Sequence, residues 1–448
     1  MKLITPKKTT LALALSLISS ISFGAESLNL STTLEQAIQN DPQWAATRHG
    51  YQANKENIHF ASAGLKPSAK ITGNIARNAS DTDPSSRSPS SSPSDDNYNS
   101  SSIGASISQP LFRLDRWHSY QEGKANDKQF DAAFNAEQQA FYLRVVKAYL
   151  DVLRAEENQQ FRDAEKSAIK RQLEQTEQRF NVGLIANTDV QEAQAAFDIS
   201  SVQHIIAEQD IALTLQNLET LTGSAMNSVA PLKANAPISP PQPTDVKQWT
   251  ESALTTNPEL IAAGHAKDAA LAVYKSKRSA HLPTVDLIGT YSDSHTTNNS
   301  SPGSNESSGI SISLEIPLYT GGTTSAKRRQ AKQLQYQAED DYNLKKREVI
   351  RNTSNLYRVV NTDVSRVMAQ RQSIRSAQAA LEATEAGYDA GTRTIVDVLS
   401  AQQALYGAKR DYANARYDYI FDLLQLKQTA GTLDIEDITE INSWLAMT

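Results

Sequence analysis

The chain has 448 residues, no cysteine and a formal net charge of −6. The lack of cysteine excludes disulfides and a lipidated cysteine, and the acidic balance disfavours general nucleic-acid binding. Hydrophobic residues make up only 39% of the chain, which suits thin packing layers better than one large core.

Residues 1–25 read as a secretory signal peptide. Lys2, Lys7 and Lys8 form its basic region, Leu11 to Phe23 its apolar stretch, and Ser22, Gly24 and Ala25 offer cleavage sites. Without those three lysines, 41 basic residues face 50 acidic ones, a net charge of −9. No apolar run of 18 or more residues follows, so the remainder is either soluble or crosses a membrane as β-strands.

That remainder repeats itself. Glu35-Gln-Ala-Ile-Gln-Asn-Asp-Pro42 returns as Glu251-Ser-Ala-Leu-Thr-Thr-Asn-Pro258, and Pro67 as Pro283, 216 positions later. Gln109-Pro-Leu-Phe112 returns as Ile316-Pro-Leu-Tyr319 after 207. Phe180-Asn-Val-Gly183, Asp189 and Gly223 return as Tyr388-Asp-Ala-Gly391, Asp397 and Gly431 after 208. Each half therefore builds one supersecondary unit, too long for a solenoid repeat, and the first copy carries a loop about nine residues longer.

The first unit spans 26–230. Capping residues Ser31 to Glu35 open a helix patterned to about Leu65, and Lys66-Pro67 stop it. Strands follow at about 67–79 and 101–112, where apolar and polar residues alternate around a Ser/Pro/Asp-rich loop. Asp115 to about Phe180 then forms one helix, with Phe134, Phe141, Ala148 and Ala155 recurring every seven residues as a narrow coiled-coil seam. A turn at Asn181 to Asn187 leads to a return helix ending at Gly223. A Pro-rich linker (231–244) separates the halves. The second unit, 245–448, repeats the order: helix, strands at about 283–292 and 309–319, long helix Thr323 to Tyr388, tip turn, return helix.

Strands of about ten residues suit a tilted membrane crossing, but four are too few to close a barrel around a lumen. A lone sheet would leave its edges unpaired in hydrocarbon. Several chains are therefore expected to share one barrel, with the long helices stacked beneath it as a tube.

The tip segments Gln178-Arg-Phe-Asn-Val-Gly-Leu184 with Thr188-Asp-Val190, and Ala386 to Leu399 with Ala413-Asn-Ala-Arg-Tyr417, resemble the TolC family of outer-membrane efflux and secretion channels. The resemblance implies a membrane α+β fold: a homotrimer whose β-barrel takes four strands per chain, continued by a long periplasmic α-helical barrel. It implies a periplasmic adaptor, an inner-membrane transporter of RND, ABC or MFS type, and outer-membrane lipid as partners. The location it implies is a Gram-negative outer membrane.

The same resemblance casts Thr188, Asp189, Tyr388 and Arg393 as a gate holding the tips inward. Asp397 becomes an acidic ring at the constriction, and Gly183, Leu184, Gly391 and Thr392 the adaptor-docking turns. Ser400 stands where the family carries a second acidic residue, which weakens a two-layer cation site. By residue type alone, Thr188 and Asp189 cap the return helix, Asp397 is a first-turn carboxylate, and the glycines serve tight turns.

No catalytic or metal motif emerges, and no cofactor is expected. Tyr319 to Lys327 lacks a phosphate-loop ending. His49, His59, His118, His204, His265, His281 and His295 have no metal-ligand spacing. Lys327-Arg-Arg329 and Lys345-Lys-Arg347 read as solvated helix faces. The competing reading is a periplasmic coiled coil or adhesin without a pore.

Overall fold

The computed structural model describes residues 29–80, 96–297 and 302–446. The predicted leader and parts of both polar strand connections lie outside them. The first half runs α1 (Leu30–Asn40), α2 (Pro42–Lys55), α3 (Asn57–Ala63), β1 (Ser68–Ser80), β2 (Asp96–Phe112), α4 (Leu114–Asn181) and α5 (Asn187–Thr222). The second runs α6 (Val246–Thr256), α7 (Pro258–Ser279), β3 (Thr284–Thr296), β4 (Gly303–Glu315), α8 (Thr323–Asp389), α9 (Ile395–Ala430) and α10 (Ile435–Ser443).

The repeated Asp-Pro and Asn-Pro pairs divide the opening helices. Asp41 accepts from the N–H groups of Gln43 and Trp44, and Asn257 accepts from that of Leu260. Pro42 and Pro258 each occupy the first helical turn, where no donor is needed. A pattern of apolar residues does not register such a break, so one predicted helix becomes three in the first half.

The strands form one antiparallel meander in the order β1-β2-β3-β4, and the β2–β3 pair joins the two halves. Its register places Ile71, Ala105, Tyr291 and Ser308 side by side, with Ile107, Gly289 and Ile310 in the next row. One face is thus apolar, and it lies open: Ile71 is 78% exposed and Ile310 85%. The other face carries Thr72, Ser106, Thr290 and Ser311. The strands run further into polar sequence than the apolar alternation. β2 begins at Asp96, and β3 and β4 pair up to Thr296 and Gly303, because ladder hydrogen bonds need no apolar side chain. β4 stops at Glu315, two residues before Pro317, which cannot donate to a ladder.

Helices α4 and α8 hold 68 and 67 residues, so each is roughly 100 Å long. α4 packs along α5 and α7, and α8 along α7 and α9. The main core sits at a waist between sheet and tips, where Leu30, Val145, Tyr149, Leu153, Leu218, Tyr419, Leu424 and Ile438 are all buried. Phe134 and Phe141 of the predicted seam stack on Trp44, with ring centroids 5.3 and 4.8 Å away. The inter-half linker is no free spacer. Leu232 bridges to Leu445, Tyr149 donates to the Ala230 carbonyl, and Tyr419 donates to that of Ser239.

The duplication is also written in tertiary contacts. Asn40 Nδ2 donates to the Thr222 carbonyl at 2.7 Å, and Thr256 Oγ1 to the Ala430 carbonyl at 2.6 Å. The glycine after each return helix, Gly223 or Gly431, takes the left-handed conformation, with φ of 70° and 75°. A Cβ at Gly223 would meet the Asn40 side chain at 3.0 Å, whereas one at Gly431 would lie 2.3 Å from the Thr256 carbonyl oxygen. Gly223→Ala is expected to cost about 1–2 kcal/mol from its backbone conformation. Gly431→Ala costs more, because backbone must move. Thermal unfolding of the purified full chain checks this order, and equal shifts would remove the packing account.

Candidate functional site

Both hairpins close through the same turn. Gly183 donates to the Phe180 carbonyl and Leu184 to that of Arg179; in the second copy Gly391 donates to Tyr388 and Thr392 to Gly387. Gly183 and Gly391 have φ of 77° and 75°, the region that glycine reaches without a Cβ penalty. Val182 and Leu184 are exposed at the first turn.

The return helices start differently. Thr394 caps α9 in a reciprocal box: its hydroxyl accepts from the Asp397 N–H, and Asp397 Oδ2 accepts from both the N–H and the hydroxyl of Thr394. Those bonds, with the nearby Arg393 charge, hold the Asp397 carboxyl below the usual carboxylate range. α5 begins at Ala186 with no side-chain cap, so Thr188 and Asp189 do not serve that purpose.

Tyr388 lies where the hairpins meet. Its ring packs against Ile169, Leu173 and Ile395 on one side and Leu381, Val398 and Leu405 on the other. The Arg179 guanidinium sits 4.7 Å from the ring centroid and pairs with Asp389 at 2.5 Å. Arg179 is on α4 and Asp389 ends α8, so this ion pair ties one hairpin to the other. Among the described residues, no hydrogen bond or ion pair within one chain joins Tyr388 or Arg393 to Thr188 or Asp189. The Arg393 stem lies over Gly387 instead, its Cγ 2.8 Å from where a Cβ would stand.

Sequence reasoning missed Arg179, Asp389 and Thr394. The available signal was the repeat itself: Asp389 stands where the first copy has Asn181, and Arg179 directly precedes Phe180.

Beside Tyr388 a cavity of about 470 Å³ opens between α4, α8 and α9, lined by Gln172, Gln378, Tyr388, Gln402, Tyr406 and Lys409. Gln172 Nε2, Gln402 Oε1 and the Tyr388 hydroxyl are buried there without a protein partner. The tip thus carries a polar cavity between the hairpins as well as apolar contacts.

Further up, charges bind the second hairpin to α4. Asp418 accepts from Arg154 of α4 and Arg366 of α8, both at 2.7 Å. Asp363 is 4% exposed and lies 3.1 Å from Arg366. Its Oδ2 has no donor; the neighbour is Asp422, which can pair with it only when one of the two holds a proton. Burial, then Asp422, pushes the Asp363 carboxyl well above the usual range.

A meander with one exposed apolar face, continuous with 100 Å helices that end in paired tips, defines a membrane duct protein with a long extramembrane stem. The chain matches the family described as "Outer membrane efflux protein" over residues 33–224 and 249–432, and it belongs to that family. It is 36% identical to outer membrane protein TolC of Vibrio cholerae, over 93% of this chain and 94% of that protein. It is 29% identical to alkaline protease secretion protein AprF of Pseudomonas aeruginosa, over 92% and 86%. Its fold resembles the crystal structure of the outer membrane protein VceC from Vibrio cholerae, with a TM-score of 0.77 and 18% identity over 90% of this chain and 96% of that one. The chain is thus an exit duct for efflux and type I secretion in a Gram-negative outer membrane, its large helical part in the periplasm. The porefree stalk finds no support among these relatives.

The Asp363 pair makes a signed prediction. Its folded pKa is raised, so folding favours the protonated acid, and stability falls as pH climbs above the ordinary Asp range. Asp363→Asn should therefore raise the melting temperature more at about pH 8 than at about pH 5. Melting curves at both values check this, and a gain independent of pH would refute the shared-proton account.

Proposed function

We propose that three copies of this chain close one twelve-stranded β-barrel and continue below it as a helical tunnel of roughly 100 Å. The observation that carries this is the sheet: two open outer edges and one exposed apolar face in a chain of the outer membrane. Inside hydrocarbon those edges need partners, and copies of the same chain supply them with closed symmetry. The domain organisation that goes with it is a leader at 1–25 and two pseudo-equivalent units, 26–230 and 245–448, joined by 231–244.

The tunnel closes at the tips. Arg393 of the second hairpin, exposed in one chain, meets Thr188 and Asp189 of a neighbouring chain, and Tyr388, its hydroxyl buried within its own chain, holds the second hairpin in place for that contact. Arg179 and Asp389 hold the two hairpins of one chain together. The polar cavity beside Tyr388 supports this reading, because the tip there is held by polar as well as apolar contacts. A periplasmic adaptor docks on the turns at Gly183, Leu184, Gly391 and Thr392 and shifts the second hairpin outward. An inner-membrane transporter feeds the tunnel from below. Asp397, three times repeated, lines the constriction and favours cations.

Planar-bilayer conductance tests both assignments. Tyr388→Phe combined with Arg393→Ser raises conductance severalfold, and an unchanged value removes the gate. Asp397→Ala moves the reversal potential in a salt gradient toward zero cation preference; an unmoved potential removes the ring.

A further inference from the structure

The sheet's lower end carries charges that the duct does not use. β1 and β3 begin there and β2 and β4 end there, so α3, α4, α7 and α8 all meet the sheet at this level. Leu111, Phe112, Trp117, Leu318 and Tyr319 are exposed at this junction, Tyr319 by 88%. Trp and Tyr concentrate at membrane–water boundaries.

Directly below them stand Lys66 after α3, Lys277 and Arg278 in the last turn of α7, and Lys327, Arg328 and Arg329 in the second turn of α8. All six are exposed, and none has an ion pair among the described residues. Two acids at this level are occupied. Asp115 and Asp286 are both bound to Arg113, at 3.2 and 3.1 Å. Glu122 is half-buried beside Lys277, and burial pushes its carboxyl up. His118 is held neutral by burial and the nearby Lys275. Among the described residues at this level, Glu122 and Glu315, the latter at the end of β4, are the carboxylates without an ion pair. The next acid on α8 is Glu339, about 18 Å further down the helix, beyond the screening length of about 8 Å. An acidic chain thus presents a locally cationic collar within two helical turns of its aromatic rim.

We infer that this collar binds the phosphodiester headgroups of anionic phospholipids in the periplasmic leaflet, through Lys66, Lys277, Arg278, Lys327, Arg328 and Arg329. A bilayer leaflet is the occupant that fits, because the collar is continuous with an apolar, aromatic face that water does not favour. The charge is spread over three elements at one height, as a planar surface requires. The inference rests on the strands crossing the membrane.

The test titrates the detergent-solubilised full chain with short-chain phosphatidylglycerol and, separately, phosphatidylcholine. Wild type binds phosphatidylglycerol more tightly, and the preference shrinks at high salt. Lys327→Gln with Arg328→Gln and Arg329→Gln weakens phosphatidylglycerol binding by about fivefold per charge removed. Lys277→Gln with Arg278→Gln does so independently, and Lys327→Arg retains wild-type binding. Conductance in neutral lipid is unchanged in all of them. Equal affinity of wild type for both lipids, or variants that keep the preference, overturns the collar. Inorganic phosphate that competes as well as the lipid overturns the leaflet as its occupant. Lost conductance in wild type would strike the duct reading instead, while the lipid titration still judges the collar.

Discussion

A strand in hydrocarbon must pair every backbone N–H and C=O, and the rest of this molecule follows from that constraint. The chain supplies four strands in a meander whose β1 and β4 edges are open. Hydrophobic burial within one chain cannot satisfy those edges, and the exposed Ile71, Ile107, Ile310 and Ile312 show that burial is not attempted there. The apolar face is matched to lipid, and in the proposed assembly the edges pair with other copies. The helices inherit this arrangement: each strand pair hands its chain to a long helix, so the spacing of strands sets the spacing of rods.

The stem has the opposite problem. Helices of roughly 100 Å with water on their surfaces cannot share one core. The solution is a waist: α1, α10 and the linker wrap α4 and α9 with a concentrated apolar cluster, and strands and tips extend from it. Paired marks such as Asn40–Thr222 and Thr256–Ala430 lock each return helix to its opening helix at that level. Ion pairs add to this packing: Arg154 and Arg366 on Asp418 join α4, α8 and α9 at the waist, and Arg179 on Asp389 ties α4 to α8 at the tip. Such bonds are individually weak in water.

The two copies differ at their tips. Phe180 is half-exposed at its tip, whereas Tyr388 is wedged between two apolar clusters with its hydroxyl turned into a polar cavity. α5 starts uncapped and α9 starts in a full capping box. The second return helix thus starts from a bonded cap that the first lacks.

By itself, the sequence determined what repeats and what alternates. Period two in Ile310, Ile312 and Leu314 marked a strand, the proline-free stretch from Asp115 marked a rod, and Gly223 and Gly431 marked its return, because these signals are local and physically obligatory. The strand ends at Asp96 and Gly303 were not legible, since polar residues pair through backbone alone. The tip residues were named from the resemblance, and their bonds were not legible. Arg179 and Asp389 lie 210 positions apart, and Arg154 and Asp418 lie 264 apart. No local pattern encodes which face of one rod meets another. Only packing at the waist sets the helices' rotation and height, and that decided that Arg179 covers Tyr388, that Asp363 is buried beside Asp422, and that six scattered cations stand at one level below the sheet.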